Sequence, residues 1–71
     1  MSVVKVIELV GTSSESWEDA AKNAVAEAAK TIRRITGVHV VGQTATVEGN
    51  VITEFRANVK VAFVVGEGQV S

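Results

Sequence analysis

Val3-Val4-Lys5-Val6-Ile7-Glu8-Leu9-Val10-Gly11-Thr12-Ser13-Ser14 is the stretch on which the reading of the whole chain turns. Residues 3 to 10 are short, β-branched and followed by a glycine, which predicts a strand ending at Gly11. Thr12, Ser13 and Ser14 then offer hydroxyls that accept hydrogen bonds from the unpaired first amides of a helix. Any of the three can serve as the cap. Thr12 with Glu15 also has the spacing of a capping box.

The helix announces itself by period. Trp17, Ala20, Ala21, Ala24, Val25, Ala28, Ile32 and Ile35 recur at steps of three and four residues and form one apolar stripe. Glu15, Glu18 and Asp19 open it and Lys30, Arg33 and Arg34 close it, both matched to the helix dipole. Gly37 is placed to take the left-handed conformation just past the helix end. Most of the stripe is alanine, so the helix can lie close to a neighbour yet buries little area.

Val38 to Val47 and Val51 to Val65 read as a β-hairpin around Gly49-Asn50, a pair suited to a two-residue turn with positive φ at both positions. That turn pairs residue i with residue 99 − i: Thr46 with Thr53, Thr44 with Phe55, Gln43 with Arg56, His39 with Lys60. One face then carries Val38, Val40, Thr44, Phe55, Ala57, Val59, Val61 and Phe63 and is expected to cover the helix. The other carries His39, Val41, Gln43, Glu54, Arg56, Asn58 and Lys60. In the first strand Val4, Val6 and Val10 point one way and Ile7 and Leu9 the other, so a second covered face is expected, and only another copy of the chain is at hand to cover it.

Composition points the same way. A chain of 71 residues encloses one small core, and such a core alone seldom yields more than ~3–5 kcal/mol of stability. With no cysteine there is no disulfide and no thiolate zinc site, and a single histidine excludes a histidine-rich metal site within one chain. At 46% hydrophobic residues the chain is too apolar for disorder. Self-association is the remaining support. A net charge of −1 argues against nucleic acid and anionic membrane as partners, and no apolar run approaches the ~20 residues of a membrane span. The N-terminal residues lack a signal-peptide pattern, so a cytoplasmic location is expected. His39 has no elbow serine or Gly-rich motif beside it, and an enzyme is not expected.

Val6-Ile7-Glu8-Leu9-Val10-Gly11-Thr12-Ser13, the alanine-rich helix and a hairpin ending Lys60-Val61-Ala62-Phe63 together resemble the dodecin family. The resemblance runs from residue 3 to residue 65 without a gap. It implies an α+β, β-α-β-β subunit whose three-stranded antiparallel sheet partly wraps one helix. One domain is expected over residues 1–65, with a flexible tail over 66–71. The resemblance further implies a hollow homododecamer that stores or sequesters a small ligand, in many members an FMN- or riboflavin-type flavin held between subunits.

On the same resemblance, Gly37 stands where flavin-binding relatives carry a stacking tryptophan, and Arg56 where they carry a glutamine that reads the flavin's pyrimidine edge. The expected ligand face comprises Gly37, Val38, Gln43, Arg56 and Asn58. Ser16-Trp17-Glu18, with Gln43 and Arg56, is closer to the dodecins that lack the stacking tryptophan, a subgroup associated with calcium. Glu15, Glu18 and Asp19 are the candidate calcium residues, although no EF-hand pattern is present. A structural shell without ligand is the third reading. Trp17, Val4 and Val6 are the expected interface residues, Trp17 because it heads the apolar stripe.

Overall fold

A computed structural model describes residues 3–66. The order is β1 (Val3–Ser13), α1 (Trp17–Ala29), β2 (Ile35–Glu48) and β3 (Val51–Val65). All pairings are antiparallel and the spatial order is β1-β3-β2, which makes β3 the central strand. The β-α-β-β, three-stranded reading holds. The expected tail lies outside the described residues from position 67 onward.

Gly11 does not end β1. The strand runs two residues further, and the glycine serves a close approach: a Cβ there would sit 2.0 Å from the carbonyl oxygen of Ala20 and 2.8 Å from Cβ of Ala24. None of Thr12, Ser13 and Ser14 caps the helix. Ser16 does, its side chain accepting from the amide of Asp19 at 3.0 Å. Buried Ser13 braces the same turn: its Oγ accepts from the amide of Glu15 at 2.8 Å and donates to the Asp19 carboxylate at 2.7 Å.

The helix also stops earlier than its stripe. After Ala29 the amides of Thr31 and Ile32 both turn to the carbonyl of Ala28, and Arg34 takes the left-handed conformation (φ 65°) that was expected of Gly37. Arg33 and Arg34 therefore lie beyond the last turn, which holds no basic residue. Ile35 keeps its spacing relative to the stripe but packs on the core from β2, where it pairs with Phe63.

The turn itself is as expected, with φ of 59° at Gly49 and 68° at Asn50. The register next to it is not constant. Glu48 pairs with Val51 and Val47 with Ile52; then Thr53 is an extra residue, so that Thr46 meets Glu54, Thr44 meets Arg56 and Gln43 meets Ala57. Val41 is an extra residue on the opposite strand and restores the first register, so that His39 meets Lys60 as expected. Each bulge shifts the pairing by one, and a one-residue shift exchanges faces. Between the bulges Gln43 thus shares a face with buried Ala57, while Thr44 joins Arg56 on the face away from the helix. The pairs Thr46–Thr53, Thr44–Phe55 and Gln43–Arg56 are corrected accordingly.

The core is thin: Ala20, Ala24 and Ala28 from the helix against Ala57, Val59 and Val61 from β3, flanked by Ile7, Leu9, Ala21 and Ile35. Because β3 is central, a slender helix laid over β3 and β1 leaves most of β2 uncovered. Val38 and Val40, expected beneath the helix, are exposed. The subunit is long and narrow, 57 × 19 × 13 Å, with a radius of gyration of 14.8 Å. A compact chain of this length would have about 11 Å.

Candidate functional site

Two surfaces carry the residues singled out by sequence. The first is the sheet face turned away from the helix. Cross-strand neighbours share a face, so the pairings give its rows. Val6, Ala62 and Gly37 form one, Glu8, Lys60 and His39 the next, then Val10, Asn58 and Gly42, then Thr12, Arg56 and Thr44. Val4 lies opposite Val64 at one end. Val4, Val6 and Val10 are each about half exposed, at 54%, 53% and 50%, and nothing among the described residues covers them. Gly37 lies on this face with no heavy atom within 4 Å of where a Cβ would be.

The structure therefore brings Gly37, Asn58 and Arg56 onto one face with Val4 and Val6, and separates them from Gln43 and Val38, which lie on the helix side. Glu8, beside Lys60, was not legible as a member of this face. Its place depends on β1 pairing with β3 rather than β2, and strand order leaves no mark on the alternation of any one strand.

The second surface is the start of the helix. Trp17 is half-buried, its Nε1 donates to the carbonyl oxygen of Thr44 at 2.8 Å, and its ring meets Phe55 edge-on at a centroid distance of 4.8 Å and an interplanar angle of 76°. This edge-to-face contact fixes the helix N-terminus to the β2-β3 hairpin. Phe55 as the partner was hidden from the sequence because the Thr53 bulge sets its neighbours. Asn23 adds a second tie, its amide donating to the Thr12 carbonyl at 2.9 Å.

The three acidic candidates do not converge. The Asp19 carboxylate is engaged by Ser13, Glu18 lies 3.9 Å from the ammonium of Lys22, and Glu15 Oε2 accepts from Ser14 Oγ at 3.5 Å. Among the described residues no three of His, Cys, Asp and Glu are grouped to hold a metal ion. The described residues of one copy thus offer no acidic cluster for calcium, which takes six to eight oxygen ligands. Nor is any helix among the described residues long and apolar enough to cross a membrane.

The family model described as Dodecin matches residues 3–66. The chain belongs to the dodecin family. Among curated relatives, this dodecin is 38% identical over 63 residues to the calcium dodecin of Mycobacterium tuberculosis, covering 89% of each chain. Among solved structures, it superposes on a Thermus thermophilus dodecin variant with a TM-score of 0.89 at 34% identity, covering 94% of this chain and 100% of that one. The crystal structure of the Mycobacterium tuberculosis calcium dodecin, described as having a novel calcium-binding site, gives a TM-score of 0.80 at 35% identity, covering 96% and 97%.

Proposed function

We propose that this dodecin is a non-enzymatic binding protein that assembles with copies of itself into a closed cytoplasmic shell of twelve, and that it sequesters a small ligand where copies meet. Calcium is favoured over a flavin as the occupant. One observation carries that preference: the indole of the single tryptophan is spent inside the subunit. Trp17 is bonded to Thr44 and held against Phe55 on the helix side of the sheet, so its ring is fixed away from the outer face where Gly37 and Arg56 lie. At Gly37 there is no ring at all, and Arg56, a donor only, cannot accept from a flavin ring N–H. A flavin here would lack both its stacking partner and its edge reader. The likeness to a protein named calcium dodecin adds support. Because the described residues of one copy group no three candidate ligands, the oxygen ligands would be pooled from several copies, backbone carbonyls and water.

The test is calorimetric titration of chelator-treated, assembled protein with calcium, beside quenching of FMN fluorescence by the same protein. Calcium is expected to give saturable heat and a raised melting temperature, and FMN to stay unquenched. A flat calcium trace with quenched FMN reverses the assignment of the occupant. Two blank titrations leave a shell without a ligand of its own. Light scattering is expected to give twelve times the subunit's 7.4 kDa.

A further inference from the structure

The outer sheet face sets charged residues among its exposed valines, and one of those residues is the chain's single histidine. Glu8, Lys60 and His39 form one row across β1, β3 and β2, with Lys60 in the middle. Glu8 lies between half-exposed Val6 and Val10 on β1. His39 lies between Gly37 and Gly42 on β2, and neither glycine has a heavy atom within 4 Å of where a Cβ would be. The imidazole thus stands between two stretches of bare backbone. A surface laid over the valines meets all three side chains of the row as well.

With His39 neutral, Glu8 and Lys60 cancel and the row carries no net charge. A proton on His39 places two cations opposite each other, with Cβ atoms about 5 Å apart, against one carboxylate on the far strand. Because β2 is an edge strand, Lys60 is the first charge that His39 faces across the sheet and Glu8 the second. The helix packs on the other side. Toward the hairpin the outer face carries Arg56 and Glu54 on β3, one of each sign, and Glu48 at the turn. Histidine is the side chain whose ordinary charge change falls between about pH 5 and 8.

We propose that His39 is a pH switch on self-association: copies hold together over this face while the imidazole is neutral and separate when it takes up a proton. An uncompensated charge costs little in water and a great deal in a desolvated contact. Free copies therefore bind the proton more readily than assembled ones. Assembly is complete at neutral pH and is lost as the pH falls. The proposal rests on self-assembly as proposed above and adds what controls it, whichever ligand is held.

Light scattering at about pH 7.5 and about pH 5.5 tests it, a window that histidine titrates and ordinary carboxylic acids do not. The wild-type mass is expected to fall several-fold at the lower pH and to recover on return. His39→Gln, which takes up no proton, is expected to stay assembled at both. His39→Lys, a cation throughout, is expected to scatter at a smaller mass at both. The position is exposed in the subunit, so both variants keep the fold. A wild-type mass that ignores pH overturns the switch and leaves assembly intact. Equal losses in wild type and His39→Gln also overturn it, since another group then carries the response. So does a His39→Lys variant that assembles like wild type at neutral pH, because the row then tolerates a second cation. A wild-type chain that scatters as a monomer already at neutral pH removes self-assembly itself, and the switch with it.

Discussion

Gly11 and Gly37 make opposite demands on the same atom. At Gly11 a Cβ would collide with the backbone of Ala20, an atom that cannot move aside without moving the helix. Gly11→Ala is therefore expected to destabilise the subunit by at least the ~1–3 kcal/mol of an overpacked core, seen as a lower midpoint in urea followed by circular dichroism. A midpoint within error of wild type would mean that α1 sits further from β1 than the structure places it. At Gly37 the Cβ direction is open and φ is ordinary, so even Gly37→Trp leaves the subunit's fold intact. That variant supplies the flat ring this chain lacks. Stacking adds about 0.5–1.5 kcal/mol beyond burial, so FMN affinity is expected to rise about 2- to 10-fold. Titration of the variant with FMN checks it, and an unchanged affinity would move the obstacle from the missing ring to Arg56.

At the scale of elements, the junction between β1 and α1 depends on side chains more than on period. Ser16 satisfies the amide of Asp19, and Ser13 satisfies both an amide and the Asp19 carboxylate. Ser16→Ala is expected to cost about 1 kcal/mol in urea denaturation and Ser16→Asp nearly nothing, because an aspartate accepts the same bond. Equal losses in the two variants would show that the hydroxyl acts by something other than capping. These contacts also show where sequence reading succeeds and where it stops. Period and turn chemistry were legible: the alanine stripe produced the helix, and Gly49-Asn50 produced the turn with positive φ at both positions. Finding the cap was not: three successive hydroxyls were candidates and Ser16 is the cap, since the outcome depends on how far β1 pairs with β3, and that pairing carries the strand through Gly11 to Ser13. The hairpin's two faces were legible near the turn and again at His39–Lys60. Between them, the bulges at Thr53 and Val41 exchange faces; Thr53 leaves no mark in the sequence, and Gly42 next to Val41 is the only residue that hints at the second. Of the expected ligand face, Gly37, Arg56 and Asn58 consequently come together, while Gln43 is carried to the other side.

The whole molecule is shaped for company. Its radius of gyration exceeds that of a compact chain, its core is mostly alanine, and valines stand exposed on the outer sheet face, the β2 edge and the hairpin tip. Apolar area left in water contributes nothing to stability until a partner covers it, at roughly 25 cal/mol for each Å² removed from solvent. Folding and association should therefore be linked. Each tenfold rise in free copies adds about 1.4 kcal/mol to the apparent stability of a subunit that is stable only when bound. The melting temperature is accordingly expected to climb steadily across a roughly hundredfold range of protein concentration, where that of a self-sufficient monomer would stay level. Val6→Lys locates the linkage on the outer face. Val6 is exposed in the isolated subunit, so a lysine there costs the fold little; in a desolvated interface, the same unpaired ammonium costs several kcal/mol. The variant is expected to keep wild-type circular dichroism at high concentration, scatter at a smaller mass, and melt at a lower temperature on dilution. If it assembles and melts like wild type, the row of Val6, Ala62 and Gly37 faces solvent in the assembly, and the junctions that hold the ligand must be built from the helix side and the hairpin tip instead.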